Sequence, residues 1–375
     1  MPKVLVSDKL SEESVKIFKD RGIEVDYLPD VGKDKEKLYE IIKNYDGLAI
    51  RSATKVTEKI LNNAKRLKVV GRAGIGVDNV DIETATSNGV IVMNTPFGNS
   101  VTTAEHAITM MMSLARQIPE ADKSTKSSLW EKSRFMGVEL TGKTLGVIGC
   151  GNIGTIVIDR AKGLRMKVLG YDPFLTDERA ESMGIDKVEL DQLFKNSDFI
   201  TLHTPLTEKT KNIINDKSIS LMKDSVRIIN CARGGLIDES ALLKALKDKK
   251  IAGAAIDVYV EEPAKDNPLF DFENVICTPH LGASTVEAQE KVAIQIAEQM
   301  SDFLITGAIT NAINFPSVSA EDAASMEPYL VLANRLGSFA GQITETAIKN
   351  VKIEYVGTIA EMNIDTLTST ILAGL

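Results

Sequence analysis

Residues 143–172 read KTLGVIGCGNIGTIVIDRAKGLRMKVLGYD. An apolar run of buried-strand length stops at Gly149-Cys150-Gly151-Asn152-Ile153-Gly154, a helical pattern follows in TIVIDRAKGL, and KVLGYD is a second strand-like run. Strand, glycine turn and helix in that order are the context in which Gly-x-Gly-x-x-Gly acquires meaning. Gly149 permits the tight turn, Gly151 lets a pyrophosphate approach the backbone, and Gly154 lets the helix pack close to the strand. The turn, with Asn152 and Ile153 inside it, would present open N–H groups and the positive helix dipole end to that pyrophosphate. Asp172 ends the second run, where a carboxylate accepts hydrogen bonds from the adenosine ribose hydroxyls and repels a 2′-phosphate. NAD is therefore favoured over NADP.

Outward from this stretch, strand-like and helical runs alternate in both directions. Before it come KVLVSD, SEESVKIFKDRG, EVDYLP, KEKLYEIIKNY, GLAIRSA, TEKILNNAK, KVVGRAG and VIVMNT. After it come FITLHTP, VRIINCA, DESALLKALKDKK, AGAAIDVY and NVICTPH. Such alternation predicts parallel sheets with crossover helices, an α/β protein of two doubly wound units. The segment TTAEHAITMMMSLARQI reads as a long amphipathic helix between them, its methionine stripe and His106 being core. STVEAQEKVAIQIAEQMSDFLITG is one long helix whose length suits a return from the second unit to the first. The expected domains are 1–98 with 282–313, discontinuous, and 99–281, inserted. From 314 onward a helical pattern, a strand-like KIEYVG and a final helical TLTSTILAGL suggest a partial third domain, since one strand cannot close a sheet.

The bulk properties bound the class. A chain of 375 residues has ample length for more than one core. Three cysteines, Cys150, Cys231 and Cys277, without a C-x-x-C pair suggest neither a disulfide framework nor a metal site and favour a reducing, cytoplasmic compartment. No run approaches the roughly 20 apolar residues of a membrane helix. A formal charge of -8 argues against a nucleic-acid partner and requires any anionic substrate to be drawn in by local arginines.

Three later loops each follow a strand-like run and carry Arg233 in NCARGG, Glu262 in DVYVEEP and His280 in TPHLG. Ligands of doubly wound sheets bind at the carboxyl ends of strands. Oxidising a secondary alcohol needs a base for the hydroxyl proton, a cation for the substrate carboxylate and carbonyl oxygen, and a hydride acceptor. His280, Arg233 and NAD can fill those roles, and Glu262 beside the imidazole would fix its tautomer and favour the imidazolium.

These motifs resemble the D-isomer-specific 2-hydroxy-acid dehydrogenase family, whose Arg, Glu and His triad matches Arg233, Glu262 and His280. The acid in that family directly precedes the proline, which selects Glu262 over Glu261. The resemblance implies a Rossmann cofactor domain inserted in a discontinuous flavodoxin-like substrate domain. It also implies Asp257 at the nicotinamide carboxamide, Cys231 and Ala232 lining the cofactor by backbone, and Thr204, Pro205, Gly282 and Ala283 beside it.

AIRSATKVT, VVGRAGIGVDNVD, MNTPFGNSVTTAEHA, WEKSRFMGVEL and HLGASTVEAQ look most like the phosphoglycerate-oxidising branch of the family. That branch converts D-3-phosphoglycerate to 3-phosphohydroxypyruvate, the first step of serine biosynthesis. The resemblance implies that Arg51, Ser52, Arg72 and Arg134, which follows the single Trp130, hold a small anionic substrate, as guanidinium forks suit phosphate. Gly74, Gly76 and Asn99 would lie on loops that close over it, with a hinge near Asn99 and Leu281. It further implies a homodimer or homotetramer formed through the cofactor domain. The tail resembles the start of an intervening domain.

Two alternatives remain at this point. One keeps the chemistry with another substrate, such as hydroxypyruvate, glyoxylate or 2-hydroxyglutarate. The other is an NAD-sensing interaction protein, a use to which a corepressor of the same family puts the fold.

Overall fold

The computed structural model describes residues 1–318, 320–344, 348, 350–362 and 364–375. Chain contacts divide it into a unit of residues 1–99 with 285–375 and a unit of residues 100–284.

In the first unit β1 (Lys3–Val6), α1 (Glu12–Asp20), β2 (Glu24–Tyr27), α2 (Lys35–Ile41), β3 (Gly47–Ile50), α3 (Glu58–Asn63), β4 (Val69–Arg72), α4 (Ile82–Ser87) and β5 (Ile91–Met93) alternate. The strands form one parallel sheet in the order β2-β1-β3-β4-β5, the flavodoxin-like order. The inner strands read as near-continuous apolar runs because both faces are covered; all four residues of β3 are buried, whereas the edge strand β2, EVDY, has none buried. Polar caps set where helices begin. Ser11 accepts the Ser14 N–H at the start of α1, and Asp81 accepts the Thr84 N–H at 2.9 Å at the start of α4.

The second unit opens with α5 (Ser100–Arg116) and α6 (Ile118–Lys126). It continues through β6 (Thr144–Ile148), α7 (Asn152–Gly163), β7 (Lys167–Tyr171), α8 (Asp177–Met183), β8 (Asp186–Lys187), α9 (Leu190–Asn196), β9 (Phe199–Leu202), α10 (Asp216–Leu221), β10 (Arg227–Asn230), α11 (Glu239–Lys247), β11 (Gly253–Ile256) and β12 (Val275–Cys277). Its seven parallel strands run in the order β12-β11-β10-β9-β6-β7-β8, a Rossmann sheet whose order reverses between β9 and β6. One face is covered by a cluster that includes Leu193, Ile219, Leu242 and Leu246. The other is covered by Ala107, Met110, Met111 and Leu114 of α5 with Val157 and Ile158 of α7. Each of the larger of these side chains, leucine, isoleucine, valine or methionine, contributes about 1.5–3 kcal/mol on leaving water.

The chain returns to the first unit in α12 (Val286–Thr306), capped by Thr285 and ended by Gly307 in a left-handed conformation. Val292, Ile296 and Met300 of α12 share a core with Val4, Val69 and Met93. The tail continues with α13 (Ala320–Ile343) and α14 (Ile364–Gly374); Met326, Ala333 and Leu367 join the same core. Residues 352–357, expected to be a strand, pair with no strand among the described residues. The apolar pattern supplied one face of a ladder, but among the described residues no second extended segment offers the backbone partners that a strand requires. Among the described residues no helix is long and apolar enough to cross a membrane.

Candidate active site at the carboxyl edge of the Rossmann sheet

The sheet order decides which loops become neighbours. Read along the carboxyl edge from β12 to β7, the strands are followed by His280, by Asp257 and Glu262, by Cys231, Ala232 and Arg233, by Thr204 and Pro205, by the glycine turn, and by Asp172. Residues separated by more than a hundred positions in sequence therefore share one edge.

At the turn, Gly149 has φ of +95° and a Cβ there would stand 2.5 Å from the His203 carbonyl oxygen. A Cβ on Gly154 would meet the Gly149 oxygen at 2.0 Å, so the first turn of α7 can lie against the strand only with hydrogen at that position. Gly151 instead faces open space, with no heavy atom within 4 Å of its Cβ position. No side chain caps α7, so its first N–H groups stay open to an anion. Room, open donors and a helix dipole together fit the pyrophosphate of a dinucleotide. Asn152 is exposed and Ile153 half-buried at this mouth. Asp172 accepts the Cys150 N–H at 2.9 Å and the Phe174 N–H at 2.8 Å, which aims its carboxylate beside the turn.

Further along, Asn230 organises the loop after β10. Its amide oxygen accepts the Ala232 N–H at 3.1 Å and its amide nitrogen donates to the Arg233 carbonyl at 2.9 Å. Arg233 donates from Nη1 to the Ala232 carbonyl at 2.6 Å, holding its guanidinium close to the edge. Cys231 and Ala232 are buried, and burial pushes the Cys231 thiol well above its ordinary range.

His280 Nδ1 lies 2.7 Å from Glu262 Oε2, so Nε2 is the ring nitrogen left to face a reactant. Burial alone would raise the Glu262 carboxyl. The bond to His280 and the Tyr259 N–H, which donates to Oε1 at 3.0 Å, outweigh it and hold the carboxyl below its usual value. His280 itself has φ of +56°, a left-handed conformation costly for a residue other than glycine.

That conformation is held by Asp257, which is fully buried. Asp257 accepts the Leu281 N–H at 2.7 Å, the Gly282 N–H at 2.9 Å and the Thr278 hydroxyl at 2.6 Å, and His106 Nε2 lies 3.2 Å away. Thr103 of α5 donates to the Gly282 carbonyl at 2.8 Å. Gly282 is thus pinned from both sides, with Ala283 next to it. Sequence reading placed His106 in the helix core. The structure adds a contact that the helical period could not signal, because its partner lies 151 positions later by residue number.

The remaining candidates lie in the first unit. Arg51 and Ser52 follow β3, and Arg72 and Gly74 follow or end the adjacent β4. Buried Asp8 shapes the 51–54 loop by accepting the Arg51 and Thr54 N–H groups and the Thr54 hydroxyl. Asn79 donates to the Arg51 and Thr54 carbonyls, each at 2.7 Å. Burial lowers the Arg51 pKa from its ordinary value, and the charge of Asp8 opposes that shift. The Arg72 guanidinium lies where a Cβ on Gly74 would be, with Nη1 1.7 Å from that position, and Gly74 has φ of +146°. Asn99 is buried at the end of this segment.

Arg134, also expected to hold the substrate anion, is engaged by carboxylates of its own unit. It donates to both carboxylate oxygens of Glu273, at 2.8 and 2.9 Å, and to Glu131 at 3.0 Å. Glu273 precedes β12, so within this chain Arg134 sits at the amino edge of the Rossmann sheet, away from Arg233 and His280. Two carboxylates within reach of one guanidinium fix it there.

Comparison with known proteins agrees with this geometry. Residues 108–282 match the D-isomer specific 2-hydroxyacid dehydrogenase NAD-binding domain, and residues 325–375 match the D-3-phosphoglycerate dehydrogenase intervening domain. The chain is 47% identical to D-3-phosphoglycerate dehydrogenase of Methanocaldococcus jannaschii, over 100% of this chain and 71% of that protein. It is 45% identical to that of Bacillus subtilis, over 100% and 70%. Among solved structures, D-lactate dehydrogenase from Aquifex aeolicus, complexed with NAD and lactic acid, superposes with a TM-score of 0.72 at 29% identity, covering 84% of this chain and 100% of that one. With sheet order, glycine turn, histidine–glutamate pair and relatives in agreement, the chain belongs to the D-isomer specific 2-hydroxyacid dehydrogenase family, within its D-3-phosphoglycerate dehydrogenase group.

Proposed function

We propose that this chain oxidises D-3-phosphoglycerate to 3-phosphohydroxypyruvate with NAD, the entry step of serine biosynthesis in the cytoplasm. The observation that carries the chemistry is the 2.7 Å pair between His280 Nδ1 and Glu262 Oε2 on the same sheet edge as the glycine turn. His280 Nε2 takes the proton of the substrate C2 hydroxyl, and Glu262 holds the ring and stabilises the imidazolium that results. Arg233 supplies the cation for the substrate carboxylate and the developing carbonyl oxygen. Bound NAD supplies the hydride acceptor at its nicotinamide. Gly149, Gly151, Asn152, Ile153 and Gly154 receive its pyrophosphate, and Asp172 its adenosine ribose. Thr204, Pro205, Cys231, Ala232, Asp257, Gly282 and Ala283 line it. Arg51, Ser52, Arg72, Gly74 and Asn99 serve the anionic groups of the substrate, Arg51 and Arg72 foremost for the phosphate.

The test is NADH formation from D-3-phosphoglycerate at alkaline pH with a hydrazine trap. His280→Ala should lower kcat by about 10²–10⁴-fold, and Arg51→Ala should mainly raise KM. Turnover of an unphosphorylated 2-hydroxy acid with none of the phosphorylated one would overturn the substrate and leave the family in place.

We also infer assembly into a homodimer or homotetramer through the second unit. Exposed Met112, Ile118, Leu129, Trp130 and Met136 cluster between residues 112 and 136, and Trp130 is 86% exposed. Apolar exposure of that density favours burial against another copy. Light scattering should return a mass at least twice 40.8 kDa, and Trp130→Ser with Met136→Ser should lower it towards one copy.

A further inference from the structure

The adenosine end of the cofactor site carries a charge that the reading above leaves unused. Arg179, in the first turn of α8, reaches back to the glycine turn. Its Nη2 donates to the Cys150 carbonyl at 3.1 Å and lies 3.5 Å from Thr155 Oγ1. Thr155 Oγ1 in turn donates to the Gly151 carbonyl at 2.8 Å, so the cation is tied to the backbone of the turn itself. On the other side of the same residue, the Cys150 N–H donates to Asp172 at 2.9 Å. A carboxylate and a guanidinium are therefore anchored to the two peptide groups of one residue. Burial is what chiefly raises the Cys150 thiol, and both charges are close enough to act on it as well, Asp172 raising its pKa and Arg179 lowering it.

The two charges do not cancel through a direct bond. Among the described residues, no carboxylate lies within ion-pair distance of Arg179; its acceptors are a carbonyl and a hydroxyl. Neutral acceptors orient the guanidinium without neutralising it. A preoriented guanidinium fork is the group best suited to a phosphate dianion. Asp172 stands where the ribose hydroxyls bind, and an arginine near that place is what accommodates a 2′-phosphate.

We propose that Arg179 is a cofactor-specificity residue: a phosphate-binding cation already in place beside the ribose pocket, whose action on a 2′-phosphorylated dinucleotide is suppressed only by the Asp172 carboxylate. Selectivity for NAD then rests on one negative charge and not on pocket shape. Removing that charge reverses the sign of the local field without any new cation. Arg179 transfers no proton and touches no reacting atom; it sets which dinucleotide binds.

This inference rests on the glycine turn being the dinucleotide site, and binding of NADH by the wild-type chain tests that separately. NADH and NADPH are titrated into substrate-free protein, and binding is read by nicotinamide fluorescence and by calorimetry. The proteins are wild type, Asp172→Asn, Arg179→Ala and the double variant. Asn keeps an oxygen for the Cys150 N–H. Asp172→Asn should bind NADPH at least 10-fold more tightly than wild type, and adding Arg179→Ala should remove most of that gain while changing NADH binding much less. Equal NADPH affinity in Asp172→Asn and in the double variant would overturn the role of Arg179, as would no gain in Asp172→Asn. Should Asp172→Asn lose its cooperative melting transition, Arg179→Glu in the wild-type background decides. Its NADPH-to-NADH affinity ratio should drop several-fold, and an unchanged ratio sinks the proposal. A wild type that binds neither nucleotide would instead remove the dinucleotide site.

Discussion

Asp257 is the residue on which the geometry of His280 depends, although it lies 23 positions earlier by residue number and touches His280 nowhere in the hydrogen bonds described. Burial raises the pKa of its carboxyl, yet His106, the Thr278 hydroxyl and the Leu281 N–H together more than reverse this and hold the group below its ordinary value of 3.8. Its ionised form is thus built into the fold. Truncation to alanine would leave the Leu281 and Gly282 N–H groups and His106 facing a void. Buried polar groups stripped of a partner are costly: His106→Ala, which leaves the Asp257 carboxylate one partner short, should destabilise by roughly 1–3 kcal/mol, and Asp257→Ala by about 3–5 kcal/mol. Because Leu281 and Gly282 directly follow His280, Asp257→Ala should also depress kcat in whatever fraction remains folded. Urea midpoints, with initial rates taken well below them, measure both effects. A stable Asp257→Ala protein with wild-type turnover would show that the strained His280 backbone is held by something else.

At the scale of elements, legibility follows the range of the interaction. The central strands of both sheets were readable because two-sided burial leaves unbroken apolar runs, whereas the exposed edge strand β8 carries no such run and was not read; α5, α7 and α12 were readable because helical apolar spacing repeats over several turns. The placement of Arg233, Glu262 and His280 on one edge was readable because each follows a strand, and parallel topology gathers such loops there. Contacts set by the register of distant elements were not readable. Period alone placed His106 in the helix, but only folding brings α5 onto the Asp257 loop. Arg134 carries the composition of an anion ligand, and its fate was decided by Glu273, far along the chain. Residues 352–357 have the alternation of a strand and, among the described residues, lack a neighbour to ladder with. Arg179 went unnoticed because it is held by a backbone oxygen, which no side-chain pattern announces.

For the whole molecule, the distribution of perturbed groups over the two units predicts where acid acts first. His203, just after β9 in the second unit, has Nδ1 buried without a hydrogen-bond partner and Nε2 2.9 Å from Thr201 Oγ1. Burial pushes its pKa down from 6.5 to about 3. Between those values the unfolded chain holds a proton that the folded chain does not, so its contribution to stability is full above pH 6.5 and is lost as pH falls towards 3. At about 1.4 kcal/mol per unit, roughly 2 kcal/mol is withdrawn between pH 6.5 and 5. Glu262, Asp257 and Asp198 act later: each is depressed, so each supports the fold above its ordinary value, 4.5 or 3.8, and releases it only below. All four lie in residues 100–284. Hydrogen exchange, corrected for intrinsic rates, should therefore show the amides of β6, β9 and β10 losing protection between pH 7 and 5 while those of β1, β3 and β4 keep theirs. His203→Asn should flatten that response, since it removes the group that titrates in the window. Equal loss in both sheets, or an undiminished response in His203→Asn, would mean that acid sensitivity belongs to the charge balance of the whole chain and not to the His203 imidazole.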